Sequence, residues 1–483
     1  MTPEEFKRHG TTLVDWIASY LSHTDQYPVL AQVKPGEIRD QLPSSPPKTG
    51  AAFDEIFGEF ERVILPGITH WNHPGFFAYF AISGSAPGIL AEFLTAALNV
   101  QAMLWRTSPS ATELEEVSLD WLRQLLYLPQ DFEGVIYDTA SIASLHALAA
   151  ARETSIPNVR TLGLIGRSDI RPCRIYVSEY AHSSIDKAVI TLGLGQNSLR
   201  RIPVDDAFRM RPEALRKAVH ADRKNGWHPI ATVATVGTTS VTSIDPVSDI
   251  ADICESEDLW LHVDAAYAGA AALVPSAKYV MDGCDRADSI VVNPHKWLFT
   301  PFDLSAFFSK RMDTVRTTFT LTPDYLDTPE SEQVKNLMDT GVQLGRRFRA
   351  LKLWAVLRYF GSDGLRIRLE EHIRLAQLFA NWIDASDDFE RLAPVPLSVV
   401  CFRANPKIFS DNDQALSQLN NEILATVNAS GQVFLSHTKV NGNYALRLAV
   451  GHIRTTEEHV SKAWELLRKA LKTNTEDKKN PAL

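Results

Sequence analysis

The sequence is poor in cysteine. Its 483 residues include four cysteines, at positions 173, 254, 284 and 401, which lie far apart and form no CxxC pair. A disulfide framework or a structural zinc site needs cysteines at closer, paired spacing. The pattern therefore indicates neither, predicts no metal centre, and fits a protein of the reducing cytoplasm.

The sequence also lacks long apolar runs and patches of positive charge. The longest apolar run, near Ala265–Pro275, is too short to span a bilayer, and the first ten residues, MTPEEFKRHG, do not resemble a signal peptide. The net charge is −9 with the charges scattered, so neither nucleic acid nor a membrane is an expected partner. Neither GxxxxGK[ST] nor a GxGxxG after a strand is present, so nothing supports nucleotide binding.

What the sequence does contain is the composition of a globular protein, 45% hydrophobic and 22% charged, with length for two or three domains. Residues 3–22 have the spacing of an amphipathic helix, and a Pro- and Gly-rich connector over 34–50 follows. The apolar stripe of this helix can pack on a partner subunit or on the protein's own core. Further helices are predicted over Ala52–Leu65 and Pro87–Trp105, and the second is apolar nearly all round, which predicts burial.

From about residue 134, strands alternate with helices, which predicts an α/β fold with a mainly parallel sheet covered by helices. The predicted strands are Gly134–Tyr137, Arg174–Ser178, Ile230–Val236, Leu259–Val263, Ser289–Val292 and Ser305–Phe308. In such sheets the ligand site lies beyond the carboxyl ends of the strands.

The pattern loosens after Arg311. Residues 320–336 are polar and contain prolines, typical of a mobile loop, and helices are predicted over 345–361 and 365–384. A smaller α/β pattern fills about 390–470. The predicted division is an N-terminal helical segment (1–85), a large domain (86–360) and a small C-terminal domain (361–483).

Three predicted strand ends carry polar side chains: Asp264, Lys296 and the nearby His182. Alone, the aspartate is typical of a helix cap and the lysine of a side chain that reaches solvent. Together they match the requirements of pyridoxal phosphate (PLP): an amine for a Schiff base, a carboxylate for the pyridine nitrogen and a flat ring for stacking. A helix predicted to open near Ala140 and Ser141 suits the phosphate, although an ordinary serine cap explains that pattern as well.

The motifs THWNHPGFFAYF, AHSSIDKA, ATVGTTSVTSIDPV, WLHVDAAYAG and NPHKWLF resemble those of the group II PLP-dependent decarboxylases, specifically the aromatic-L-amino-acid decarboxylases. The resemblance covers about residues 3–470. It implies the aspartate-aminotransferase-like PLP fold (fold type I) and a homodimer with sites at its interface, in which the N-terminal helices are exchanged between subunits.

The resemblance also implies roles for individual residues. Lys296 matches the Schiff-base lysine, Asp264 the partner of the pyridine nitrogen, and His182 the stacking histidine. The positions implied around the cofactor are Ala140, Ser141, Thr239, Ala266, Asn293 and His295. The implied aromatic wall of the substrate pocket is Trp71, Tyr79 and Phe80.

Two matched positions refine the chemistry. Tyr325 matches the tyrosine that protonates the substrate carbon after CO₂ leaves, a position that is typically phenylalanine in related aldehyde synthases. Gly345 matches a position where glycine accompanies bulky aromatic substrates, which favours tryptophan or a related amino acid.

Four positions depart from the family pattern. Asp138 replaces a glycine before the predicted phosphate turn, Ala81 replaces a proline, and Gln101 and Met103 replace larger apolar or aromatic residues of the substrate pocket. Arg447 is read as a core or interface residue in preference to a carboxylate-binding one. The predicted function is decarboxylation of an aromatic L-amino acid; the alternatives are an aldehyde synthase on the same scaffold and a PLP-binding homologue without catalysis.

Overall fold

A computed structural model describes residues 1–321, 330, 333–409 and 412–479 of the chain. The chain forms two compact units. The large unit comprises Ile82–Arg374 and Ala393–Val399, and the small unit comprises Met1–Ala81, Leu375–Leu392 and Val400–Leu483. The three-part division inferred from the sequence stays a prediction.

The structure contains α-helices and two β-sheets. The helices are α1 (Pro3–Ser22), α2 (Phe53–Glu59), α3 (Ala86–Leu98), α4 (Pro109–Leu125), α5 (Ala140–Ser155), α6 (Val159–Leu162), α7 (Ser184–Thr191), α8 (Pro212–Lys224), α9 (Val247–Glu257), α10 (Pro294–Trp297), α11 (Met312–Phe319), α12 (Ala350–Asp384), α13 (Asp413–Ala429) and α14 (Glu457–Lys479). The strands are β1 (Glu133–Tyr137), β2 (Cys173–Ser178), β3 (Leu199–Ile202), β4 (His228–Thr235), β5 (Trp260–Asp264), β6 (Ser289–Val292), β7 (Ser305–Ser309), β8 (Phe389–Arg391), β9 (Val399–Ala404), β10 (Ser436–Val440) and β11 (Asn443–Ala449).

The large unit is built on a seven-stranded sheet of order β1-β7-β6-β5-β4-β2-β3. Strands β3, β2, β4, β5 and β6 pair in parallel, and β7 runs antiparallel to both β6 and β1. The predicted mainly parallel sheet is therefore confirmed. The register sets Asp264 opposite Thr235 on one side and Val291 on the other, so the carboxyl ends of β4, β5 and β6 lie at one edge.

The core of the large unit forms where α5 packs on this sheet. Every residue of β6 is buried, and β-branched side chains dominate that strand. Helix α5 presents a run of small buried residues, among them Ala143, Ala147 and Ala151, which pack with the strand residues Val233 and Val291. Alanine keeps the helix close to the sheet, and its start is thereby held near the strand ends.

One strand of this sheet is absent from the sequence prediction. Strand β3 is four residues long and lies at the sheet edge, with partly or fully exposed arginines at its centre. The faces of an edge strand are less buried than those of a central strand, so its sequence need not alternate between apolar and polar residues. The sequence pattern that would identify a strand is therefore missing here.

Helix α3 differs from its prediction. It ends at Leu98, where Asn99 adopts a left-handed conformation with φ 50°. The expected burial all round is wrong for the isolated chain, because Leu90, Leu94 and Leu98 are 58%, 57% and 61% exposed. Their i, i+4, i+8 spacing places them in one exposed stripe.

The two helices predicted over 345–361 and 365–384 form one element, α12, which breaks at Gly361, where φ is 61° and ψ is 177°. A left-handed φ of this kind favours glycine. The break separates two helical segments, as predicted, but the first begins at Ala350 and not at residue 345, so Gly345 lies outside the helix.

The small unit contains α1, α2, α13, α14 and a four-stranded sheet of order β10-β11-β9-β8. Helix α1 covers Pro3–Ser22, the range that the amphipathic pattern predicts. A capping box between Thr2 and Glu5 stabilises its start. Helix α2 continues beyond Glu59 as a π-helical turn over Phe60–Ile64, so the helix predicted over Ala52–Leu65 changes its winding halfway.

All four cysteines are buried. Burial raises the pKa of the Cys173 and Cys401 thiols to about 11 and that of Cys254 to about 12. Burial raises the pKa of Cys284 as well. Among the described helices, none combines the length and the apolar character needed to cross a bilayer.

Candidate active site

Lys296 lies in the short helix α10, directly after the buried strand β6. Its backbone N–H donates to the carbonyl of Asn293 (2.9 Å), whose own N–H donates to the carbonyl of Ala266 (3.0 Å). The hydroxyl of Ser305 donates to Oδ1 of Asn293 (2.6 Å). These bonds join the turns after β5 and β6, so Asn293 fixes where the lysine leaves the sheet.

Asp264 is the last residue of β5 and is 7% exposed. Its Oδ1 accepts a hydrogen bond from the backbone N–H of Ala266 (3.1 Å). A buried carboxylate requires a compensating charge or donor, which a protonated ring nitrogen can supply. Asp264 is therefore placed as the partner of a pyridine nitrogen would be.

A buried polar network lies beneath Asp264, and the sequence interpretation missed it. Nε2 of His262 hydrogen-bonds Oγ of Ser144 on α5 (3.1 Å), and its Nδ1 hydrogen-bonds Oγ of Ser289 on β6 (2.9 Å). The indole N–H of Trp260 donates to that same serine oxygen (2.9 Å). Burial lowers the pKa of His262 to about 4, so the neutral ring crosslinks helix and strands two residues before Asp264. The sequence did contain a signal for this network: polar residues at alternate positions of β5, His262 and Asp264, and a serine, Ser289, at the start of the apolar strand β6.

His182 follows β2 and is exposed. Its Nδ1 accepts a hydrogen bond from the backbone N–H of Ser184 (3.1 Å) and forms a second one with the hydroxyl of the same residue (2.9 Å). Burial of part of the ring lowers its pKa; the Asp264 carboxylate opposes this shift and the Lys296 ammonium reinforces it. The ring is thus neutral at pH 7, and the proton is on Nε2 because Nδ1 is an acceptor.

His295 is buried beside Lys296. Its Nδ1 accepts the backbone N–H of Leu304 (2.9 Å). Burial, reinforced by the Lys296 ammonium, lowers the pKa of His295 to about 3. The neutral ring therefore keeps a fixed tautomer that leaves an N–H on Nε2.

Two turns near the strand ends offer hydrogen-bond donors. Ala140 and Ser141 form the first turn of the 16-residue helix α5, whose N-cap Thr139 makes no side-chain cap, so N–H groups there point out of the helix. After β4, Gly237 has φ +89°, and a Cβ added to it would lie 2.5 Å from Cβ of Ala268. Thr239, two residues further on, is exposed.

Asp138 alters the first of these turns. Its Oδ1 accepts the backbone N–H of Thr139 (2.6 Å) and the hydroxyl of that threonine (3.1 Å). Its Oδ2 accepts from Nε2 of Gln343 (3.1 Å). A carboxylate and two occupied donors therefore stand directly before the start of α5.

Met103 and Gly345 both belong to the large unit. The carbonyl of Met103 accepts the N–H of Met338 (3.0 Å), and Met103 packs against the small cluster of Leu104 and Met338. A Cβ added to Gly345 would lie 3.1 Å from Nε2 of Gln101.

Trp71, Tyr79 and Phe80 belong to the small unit. Trp71 stacks on Tyr79, with ring centroids 5.9 Å apart, and Tyr79 has φ 50°. The guanidinium of the buried Arg447 lies 4.7 Å over the ring of Phe80 and hydrogen-bonds the carbonyl of Tyr79. These contacts support the reading of Arg447 as a core residue that shapes this aromatic segment. Tyr325 lies outside the described residues.

These groups fit PLP. The lysine amine can hold the aldehyde, the buried carboxylate of Asp264 suits a protonated ring nitrogen, and the start of α5 with the Gly237 turn provides donors for a phosphate. No cluster of three or more metal-ligating side chains occurs within 1–321, 333–409 and 412–479.

Residues 35–405 match the pyridoxal-dependent decarboxylase conserved domain. The chain is 38% identical to "Phenylacetaldehyde synthase" of Arabidopsis thaliana, an alignment that covers 97% of this chain and 96% of that protein. It is also 38% identical to "Tryptophan decarboxylase 2" of Oryza sativa subsp. japonica, over 97% and 95%. A solved structure of Oryza sativa TDC with PLP and tryptamine superposes with a TM-score of 0.94 at 34% identity, covering 98% of this chain and 99% of that one.

The fold and the matched domain define a PLP-dependent enzyme of fold type I. The chain belongs to the pyridoxal-dependent decarboxylase family, and its cofactor is PLP. The predictions of fold, family and cofactor are thereby confirmed.

Proposed function

We propose that this protein converts an aromatic L-amino acid, with tryptophan-like substrates favoured, into the corresponding arylalkylamine and CO₂. The observation that carries this proposal is the convergence of Lys296, Asp264 and His182 at one sheet edge in a chain of the decarboxylase family. The relatives named tryptophan decarboxylase and the structure that holds tryptamine support the substrate class.

Bound PLP supplies an electron sink for the bond between Cα and the carboxylate. In our proposal Lys296 tethers the cofactor and releases the product, and Asp264 keeps the ring nitrogen protonated. The start of α5 with Ala140 and Ser141, and the turn with Thr239, would hold the phosphate. Ala266, Asn293 and His295 would shape the floor of the site and keep the lysine in place.

Protonation of Cα decides the product. The neutral ring of His182 would stack on the cofactor and hold a proton at Nε2, since Nδ1 accepts from Ser184. Tyr325 would donate the proton to Cα after CO₂ leaves, in relay with His182. Proton transfer from a positioned side chain is worth roughly 10²–10⁴-fold in rate.

The rival function is that of an aldehyde synthase. Overall similarity does not separate the two, because a phenylacetaldehyde synthase and a tryptophan decarboxylase are each 38% identical to this chain. The presence of both Tyr325 and His182 favours simple decarboxylation. A PLP-binding homologue without catalysis is disfavoured, because His182 and Tyr325 are present in addition to the cofactor-holding residues Lys296 and Asp264.

The substrate pocket and the assembly belong to the same proposal. The ring of the substrate would be bound by Trp71, Tyr79, Phe80, Met103 and Gly345. A homodimer with sites at its interface is supported by the exposed stripe of Leu90, Leu94 and Leu98 on α3, since leucines in such a row are ordinarily covered. A cytoplasmic location fits the four buried free cysteines.

Amine release from the PLP-loaded protein tests the proposal. We expect amine and CO₂ from tryptophan or a related aromatic amino acid, with no hydrogen peroxide. Peroxide and ammonia from the parent protein would identify an aldehyde synthase, and bound PLP without any turnover would identify a non-catalytic homologue.

Replacement of the proposed proton donor, Tyr325→Phe, should slow amine formation by roughly 10²–10⁴-fold and expose aldehyde production. The measurement is quantification of both products by chromatography. Amine formation at the parental rate without aldehyde would remove Tyr325 from the mechanism.

A further inference from the structure

Gln101 carries a side-chain donor that the mechanism above does not use. The donor lies against Gly345: a Cβ added to that glycine would be 3.1 Å from Nε2 of Gln101. Gln101 is exposed, and among the described residues its Nε2 has no hydrogen-bond acceptor, so water is its partner before a ligand binds.

The orientation of the Gln101 amide is determined by its neighbour. The backbone N–H of Arg346 lies 2.6 Å from the other terminal atom of the side chain. A backbone N–H can only donate, so that atom is the oxygen Oε1. The reversed amide would set two donors against each other, and Nε2 therefore faces Gly345.

The element that fixes this amide is itself rigid. The buried guanidinium of Arg346 donates to Oε1 of Glu115 (2.7 Å) and to the carbonyl of Ile136 (2.8 Å). The N–H of Ala102 donates to the carbonyl of Arg346 (2.9 Å). Arg346 is thus tied to α4 and β1, so the donor of Gln101 is held before any ligand arrives.

The surroundings of this donor in the sequence are apolar. Leu98, Val342 and Leu344 flank Gln101 and Gly345, and they are 61%, 61% and 49% exposed. Large apolar side chains next to a fixed N–H along the chain are the residue types that bind an aromatic ring with one polar substituent.

We propose that Gln101 determines specificity by donating a hydrogen bond to a hydroxyl oxygen on the aromatic ring of the substrate. The enzyme then favours hydroxylated aromatic amino acids over their unsubstituted counterparts. This inference rests on the proposed function, which assigns Met103 and Gly345 to the substrate pocket. A substrate ring that covers Gln101 displaces water from its N–H. A hydroxyl on the ring replaces that hydrogen bond, whereas an analogue without the hydroxyl leaves the donor desolvated and unpaired, so the site discriminates against it.

The test compares two substrate pairs on the full-length, PLP-loaded enzyme: 5-hydroxytryptophan with tryptophan, and tyrosine with phenylalanine. The readout is the ratio of kcat/KM within each pair. Gln101→Met removes the donor at similar length and should lower the ratio about three- to tenfold, the range that a neutral hydrogen bond supplies. Gln124→Met, the same substitution at an exposed position of α4, should leave it unchanged.

A second variant guards against a merely structural effect. Gly345→Ala preserves both Gln101 and its bond to Arg346 but sets a methyl group 3.1 Å from Nε2, so the ratio should fall here too. A ratio equal to the parental one in both variants, or a parent without preference for the hydroxylated members, would overturn the proposal.

A binding measurement separates this inference from the proposed function. The dissociation constant of each amino acid is obtained from the change in cofactor absorption on binding, which requires no turnover. If no amine forms but Gln101→Met still weakens binding of the hydroxylated members selectively, the reaction assignment fails and the specificity assignment holds. If amine forms and selectivity is unaltered, the specificity assignment fails and the reaction assignment holds.

Discussion

Asp138 lies two residues before the start of α5, where the phosphate is proposed to bind. Its carboxylate already binds the N–H and the hydroxyl of Thr139. A phosphate at the start of α5 would meet a charge of its own sign, and like charges at close range repel. The affinity for PLP should therefore be limited by this side chain.

Asp138→Asn keeps the shape of the side chain and removes its charge. We expect the dissociation constant for PLP to fall about two- to fivefold, the range typical of a partly exposed charge interaction. Titration of the apoprotein with PLP, followed by cofactor absorption, measures the change. Weaker PLP binding in this variant would show that the carboxylate supports the phosphate turn.

The functional role of a residue can be predicted from the sequence where a charged or polar side chain stands at a position that is ordinarily apolar, such as the end of a buried strand. A lysine, an aspartate and a histidine at strand ends indicate a cofactor from the sequence alone. The contacts between distant residues cannot be predicted in this way. Ser144 and His262 are 118 positions apart, and Gln101 and Arg346 are 245 apart, so their hydrogen bonds depend on the tertiary fold.

Among the elements, the turn after β4 has the strictest backbone requirement. Gly237 combines φ +89° with a Cβ position 2.5 Å from Cβ of Ala268. Gly226 has a similar φ of +84°, but nothing lies within 4 Å of its Cβ position. The two glycines therefore separate backbone strain from steric collision.

Gly226→Ala should cost about 1–2 kcal/mol in the free energy of unfolding, from the left-handed conformation alone. Gly237→Ala should cost about 1–3 kcal/mol more through overpacking, and it should weaken PLP binding because the turn leads to Thr239. Denaturant unfolding and PLP titration measure the two effects. Equal losses in the two variants would contradict the steric argument.

Elements with regular patterns are predictable, and those without are not. The central strands are found because short runs of consecutive β-branched residues are typical of buried strands. Strand β3 escapes prediction because its arginines reflect an edge position that only the assembled sheet defines. The exposure of the leucines on α3 could not be predicted. An apolar composition indicates that a helix face is covered, but it does not distinguish cover by the same chain from cover by a partner.

At the scale of the whole molecule, the buried histidines predict acid sensitivity. Burial lowers the pKa of both His146 and His262 to about 4 from an ordinary value of 6.5. Between pH 6.5 and 4 the unfolded chain binds protons that the folded chain does not. Stability is therefore complete above pH 6.5 and declines as the pH falls toward 4.

His146→Gln tests this dependence. The amide oxygen can replace the Nε2 that accepts the N–H of Val342 (3.3 Å), and the group no longer titrates. The melting temperature of the variant should fall less steeply between pH 6.5 and 4. The loss in the free energy of unfolding over this range should be smaller than that of the parent by about 3 kcal/mol. Parallel curves for variant and parent would exclude His146 as a source of the sensitivity.

The proposed dimer makes a second prediction at this scale. Leu94 on α3 and Leu162 on α6 are both 57% exposed, but only Leu94 belongs to the leucine stripe of α3. Leu94→Glu should shift the protein toward monomers, because a charge in a desolvated interface is costly, while Leu162→Glu should remain dimeric. Sedimentation velocity distinguishes these states, and a stable Leu94→Glu dimer would place the interface elsewhere.

The burial of all four native thiols has a practical consequence for chemical labelling. Protonated, inaccessible thiols react slowly with maleimides and disulfide reagents, so the natural chain offers almost no background. A cysteine introduced at Leu98, which is 61% exposed, would be a selective attachment point for a fluorophore or spin label. Its reaction rate would then report occlusion of that surface in solution, and paired spin labels would measure the distance between two copies directly.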